Sequence, residues 1–109
     1  MSPRTMTEQA FYILTALIDE PRHGYGIVGE VAALTENRLE LRVGTLYGVL
    51  DRLAAEGLVE PDREEVANGR LRRYYRLSQD GRLALTREAQ RQAANARIAH
   101  HRLGLTGEG

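Results

Sequence analysis

Cysteine, lysine and tryptophan are missing from the 109 residues; phenylalanine occurs once and proline three times. Without cysteine there is no disulfide scaffold, no thiol nucleophile and no thiolate metal site, which points to a cytoplasmic protein. No apolar run approaches the ~20 residues of a membrane helix, and Met1-Ser2-Pro3-Arg4 leads into no signal-peptide core. A membrane partner is therefore not expected. The length suits one small globular domain and leaves little room for a deep substrate cleft. No Ser-His-Asp order, glycine-rich phosphate loop or HExxH pattern occurs. The adjacent His100 and His101 would diverge by about 100° on a helix and cannot share an ion. Neither a metal, a cofactor nor an enzymatic activity is expected.

What is present is arginine, and it is unevenly placed. The fifteen cations, all arginine, balance fifteen acids. Residues 1–62 hold five arginines against ten acids, net −5, whereas residues 63–102 hold ten against four, net +6. A polyanion-binding surface over the whole molecule is excluded. A local basic footprint in the second half is not.

Hydrophobic spacing divides the first half into three helices. The first starts at Thr5, which forms a Thr-x-x-Glu capping box with Glu8, and turns Ala10, Phe11, Leu14, Leu17 and Ile18 inward. Asp19-Glu20-Pro21 ends it. The turn His23-Gly24-Tyr25-Gly26 feeds a second helix with Ile27, Val28, Val31 and Leu34 inside. Leu39 to Val43 alternates loosely, as a short strand would. The third helix starts at Gly44-Thr45, carries Leu46, Val49, Leu50 and Leu53 as its buried stripe, and stops at Gly57.

The period then changes from helix to strand. Asn68-Gly69 is a strong type I′ hairpin signal, because that turn needs positive φ at both central residues. Centring the hairpin there sets Val66 opposite Leu71, Glu65 opposite Arg72 and Glu64 opposite Arg73. One apolar and two opposite-charge pairs result. Alternation puts Leu71, Arg73, Tyr75 and Leu77 on one face, with Tyr75 and Leu77 marking the core side. Arg70, beside the tip, has no acidic partner in this register. A final helix, capped by Ser78 or Asp80, runs to about Arg102 before Gly104. Along it Leu85, Ala89, Gln92, Ala96, Ala99 and Leu103 repeat as a heptad seam of mostly small residues.

Three helices, a short strand and a hairpin with a basic tip follow the order of a winged helix-turn-helix. At Val43-Gly44-Thr45-Leu46-Tyr47-Gly48-Val49-Leu50-Asp51-Arg52-Leu53 the chain resembles the recognition helix of the PadR (phenolic acid decarboxylase regulator) family of bacterial repressors. His23-Gly24-Tyr25-Gly26-Ile27, Glu56-Gly57-Leu58-Val59 and Arg72-Arg73-Tyr74-Tyr75-Arg76-Leu77-Ser78 match its other landmarks in order. The resemblance covers about residues 8–85, and the last helix has the length of the short-chain branch. It implies a mostly α fold with a small β-hairpin: a winged helix-turn-helix over 5–77, a dimerisation helix over 78–103, and a disordered tail over 104–109.

The implied activity is ligand-responsive repression by a homodimer on a pseudo-palindromic double-stranded DNA operator. The recognition helix would offer Arg42, Gly44, Thr45, Tyr47, Gly48 and Arg52, and the wing Asn68, Gly69, Arg70 and Arg72. Thr45 would cap the helix or donate to a phosphate at its N-terminus, and Gly48 would let the helix approach the groove floor. Arg73 reads as a structural partner of Glu64. Phe11, Leu85, Ala89, Ala96, Ala99 and Leu103 would form the dimer seam, and a cavity between paired helices would suit a small aromatic effector. The competing function, a winged-helix module for protein contact with no operator, is favoured by the near-neutral charge and the arginine-poor third helix.

Overall fold

The amphipathic stripes of the first half close on one another. In the computed structural model, which describes residues 6–105, the order is α1 (Glu8–Ala16), β1 (Arg22–His23), α2 (Gly24–Leu34), α3 (Val43–Ala55), β2 (Val59–Ala67), β3 (Arg70–Leu77) and α4 (Gln79–Leu103). Ile13, Leu14, Ile27, Val31, Leu46 and Leu50 are fully buried where the three short helices meet, and Val59 and Leu85 close the core. The inward face of α1 is rotated from expectation. Ile13 is buried, Phe11 is only half-buried, and Ile18 is exposed beyond the end of the helix. Likewise Leu34, expected inside α2, is exposed.

Thr7 caps α1, its hydroxyl accepting from the Ala10 amide at 3.1 Å. The helix thus begins later than a Thr5 cap would place it; Thr5 itself and residues 106–109 lie outside the described residues. Residues 39–42 are not a strand. Thr35 is buried, and its hydroxyl accepts the Leu39 amide at 3.1 Å while donating to the Val31 carbonyl at 2.9 Å, tucking the loop against the core. The tight turn also uses positive φ at Glu36 (53°) and Asn37 (65°). The third strand is instead Arg22–His23, which pairs antiparallel with β3 and gives the sheet order β1-β3-β2.

The hairpin follows its local chemistry. Asn68 (φ 55°) and Gly69 (φ 75°) form the turn, and Val66↔Leu71, Glu65↔Arg72 and Glu64↔Arg73 are paired. A bulge between Pro61 and Glu64 breaks the register nearer the body, where proline has no amide to give to the ladder.

α4 is anchored firmly at one end. The Ser78 hydroxyl donates to the Gly57 carbonyl at 2.6 Å and accepts the Gly81 amide at 2.9 Å, so the cap joins the helix to the corner between α3 and β2. Leu85 and Glu88 are its last buried residues. From Ala89 to Leu103 every residue is exposed except the half-buried Ala94, and Gly104 closes the helix with φ 77°. Among the described residues, no helix is long and apolar enough to cross a membrane.

Candidate nucleic-acid interface

Because α3 spends Leu46, Val49, Leu50 and Leu53 on the core, its remaining face is committed to solvent. Gly44, Thr45, Gly48, Asp51 and Arg52 are exposed, and Tyr47 is 39% exposed. The helix starts at Val43, with Arg42 as an N-cap whose side chain makes no capping bond. The Leu46 amide closes the first turn on the Arg42 carbonyl at 2.9 Å. Thr45 is therefore the third helical residue and not the cap, leaving its hydroxyl exposed at the positive end of the helix dipole. A side chain at Gly44 or Gly48 would meet nothing within 4 Å, so both positions are open on the outer face.

The hairpin stands beside this helix. Between them runs an open groove of about 550 Å³, lined by Tyr25, Tyr47, Asp51, Arg70, Arg73 and Tyr75 among others. Burial of the Tyr75 phenol, with Tyr47 and Asp51 near it, pushes its pKa up. Arg73 belongs to this groove and not to the core. The face it shares with Tyr75 and Leu77 runs beyond the globule, so Leu71 is 55% exposed and Arg73 lines the groove together with Tyr47 and Asp51 of α3. Its bond to Glu64, 3.5 Å between two well-exposed side chains, is a surface pair of small energetic value. Arg52, one helical step round from Asp51, faces away from the groove and lines a small depression with Met6, Thr7, Glu56 and Ala84.

The opposite face of the hairpin satisfies itself. The Tyr74 hydroxyl donates to Glu65 at 2.7 Å, the Arg63 guanidinium lies 3.9 Å over the Tyr74 ring, and His23 meets that ring edge-on at 5.2 Å. The Tyr74 hydrogen bond, chiefly, holds the Glu65 carboxyl below its usual range. Arg76 pairs with Glu60 and Asp62. Glu65 thus serves Tyr74 and Arg63 and forms no ion pair with Arg72, its opposite residue. Among the described residues Arg42, Arg70 and Arg72 form no ion pair. His23 caps α2 by accepting the Gly26 amide on Nδ1 at 3.3 Å. Partial burial first, and then the nearby Arg72, hold its pKa below the usual histidine value, against the pull of Glu65.

The residues expected at a dimer seam separate into two groups. Leu85 is 6% exposed within the chain's own core, and Phe11 packs half-buried against that core with its ring edge-on to Tyr12. Ala89, Ala96, Ala99 and Leu103 are exposed on the projecting part of α4. Ile98, also 69% exposed, adds a large apolar side chain that the seven-residue repeat leaves out. Tyr25, read from sequence as a helix-start element, is 67% exposed and lines the groove. No sequence period marks it, because it reaches the site from a different helix.

Comparison with known proteins gives one consistent result. The Transcriptional regulator PadR-like family matches residues 13–87. A transcriptional regulator of Mycobacterium tuberculosis is 38% identical over 77 residues, covering 71% of this chain and 68% of that protein. The crystal structure of a PadR family transcription regulator from Clostridium difficile superposes with a TM-score of 0.71 at 24% identity, over 89% of this chain and 99% of that one. Bacillus subtilis PadR, solved in complex with operator DNA, gives 0.61 at 21% identity, over 70% of this chain and 44% of that longer one. The four helices, the small antiparallel sheet and the matched motifs agree: this chain belongs to the PadR-like family of transcriptional regulators.

Proposed function

We propose that the chain is a homodimeric, ligand-responsive repressor that binds a pseudo-palindromic operator in the cytoplasm. The observation that carries this reading is the groove between α3 and the hairpin. It brings the outer face of the recognition helix and the unpaired Arg70 to one side of the molecule. α3 enters the major groove with Gly44, Thr45, Tyr47 and Gly48 leading, since Gly48 offers no side chain to hold the helix off the base edges. Asn68 and Gly69 set the tip, and Arg70 and Arg72 supply phosphate or minor-groove contacts, with Arg42 on the backbone at the helix start. Arg73 joins them through the groove. Arg52 takes no part, because it faces elsewhere.

Two copies pair through α4 beyond Glu88, where Ala89, Ala96, Ala99 and Leu103 allow close helix approach and Ile98 adds buried area. Such pairing would set the two recognition helices about one DNA turn apart, ~34–36 Å. A small aromatic effector would sit between the paired helices and change that spacing. The test is a gel shift on DNA taken from upstream of the chain's own gene, beside a random duplex of equal length. Binding preferential to the first, with a dimer-sized shift, supports the reading. Equal, weak binding to both would favour a protein-contact module instead.

A further inference from the structure

We propose that Gly24 is a positioning residue for Tyr47: the missing side chain at the start of α2 makes the space in which the Tyr47 ring is held for DNA. A Cβ on Gly24 would overlap the Tyr47 hydroxyl, stand 2.9 Å from Tyr47 Cζ and 3.5 Å from Leu46 Cδ2. The hydroxyl end of the ring therefore rests against the Gly24 backbone, while the residue is 39% exposed and lines the groove. Nothing in the local backbone asks for glycine here. Gly24 does not have the left-handed φ of Gly57, Gly69 and Gly104. It is the first residue of a helix already capped by His23, a position that alanine fills at least as well on helix propensity. Gly44 and Gly48 face open space. Gly81 is also tight, against the Leu58 carbonyl, which is a scaffold contact. Among these, Gly24 alone abuts a side chain of the interface.

The physical consequence is a fixed tyrosine. A side chain whose far end rests against the start of the neighbouring helix has fewer rotamers open to it in the free protein, so less is left to lose on docking. Adding one methyl group at Gly24 would drive the ring outward into the groove, where it would stand between α3 and the bases. The inference rests on Tyr47 touching DNA, and the experiment separates the two ideas. Gly24→Ala, Tyr47→Ala, Tyr47→Phe and both double variants are measured for affinity to a duplex from upstream of the chain's own gene, and for melting temperature.

Gly24→Ala should weaken binding roughly tenfold, the scale of an overpacking clash, with a melting shift within about 3 °C. In the Tyr47→Ala background the same change should alter affinity by less than about twofold, because the clash partner is gone. Tyr47→Phe should recover roughly threefold of the loss, since it removes the overlapped hydroxyl and keeps the ring. An equal cost of Gly24→Ala with and without the Tyr47 ring overturns the positioning role, as does an unchanged affinity in the single variant. If Tyr47→Ala alone leaves affinity untouched, the placement of Tyr47 at the interface fails first, and this inference fails with it.

Discussion

Two elements project from the body, and they differ in how far each satisfies itself. The hairpin carries partners on its rear face: Tyr74 holds Glu65, Arg63 covers Tyr74, and Arg76 spans Glu60 and Asp62. The far part of α4 offers exposed Ala96, Ile98, Ala99 and Leu103, which lie outside the buried core of the described residues. An isolated helix of about fifteen residues is marginal in water, and the proposed pairing would stabilise the arm. A hairpin satisfied on its rear face leaves the other face for the proposed contact with DNA. The wing carries its own side-chain partners, and the arm is the part that the proposed dimer would cover.

The largest expected effect tests the arm. Ala96→Glu places bulk and like charge on the proposed seam, so it should yield monomers at micromolar concentration and lose operator affinity by orders of magnitude. Sedimentation velocity reads the first and a gel shift the second. A variant that sediments as a dimer would move the contact to another face, with Ile98 as the next to change.

The wing is tested at its turn. Gly69→Val puts a β-branched residue at φ 75° and should destabilise the hairpin by about 1–3 kcal/mol. Amide exchange of residues 64–73 should rise while the core of α1–α3 remains protected. Uniform protection would mean that the hairpin is not held by its own turn.

Arg70→Ala and Arg73→Ala sharpen the contrast between the two hairpin faces. Each lines the groove, so each should lower the slope of log affinity against log salt by about one unit, for operator and random DNA alike. Their melting curves should stay near the parent's, because the Glu64 pair of Arg73 is worth about 1 kcal/mol or less. Arg63→Ala, on the rear face, should do the reverse, leaving the salt slope alone and weakening the wing.

A smaller effect concerns pH. The folded state holds His23 with a pKa below the usual value of 6.5, so the unfolded chain takes up the proton first on acidification. The stabilisation from a neutral His23 is complete above about pH 6.5 and is lost as pH falls through the folded value. His23→Asn keeps an acceptor at the cap but does not titrate, so melting temperature should depend less on pH between about 7 and 5.5. An unchanged pH dependence would assign that loss to other groups.

Much of this architecture is legible in the chain itself. Asn68-Gly69 sets the hairpin register because a two-residue turn leaves no slack, and the Leu46, Val49, Leu50 and Leu53 stripe identifies the buried side of α3 because a helix repeats every 3.6 residues. Both are local. The order of elements, Ser78 as a cap and Gly57 and Gly104 as stops follow from the same short-range chemistry. What distance in the chain conceals is where a periodic face ends up. Only the tertiary structure put Arg73 at the groove beside α3 and Leu85 in the chain's own core, since strand and seam patterns name a face without naming what lies against it. Only it paired Arg22–His23 with β3 across some fifty residues, or pressed Tyr47 against Gly24. Local conformation is set by neighbours a few residues apart; the candidate interface is made of contacts between elements, and those exist only once the helices have packed.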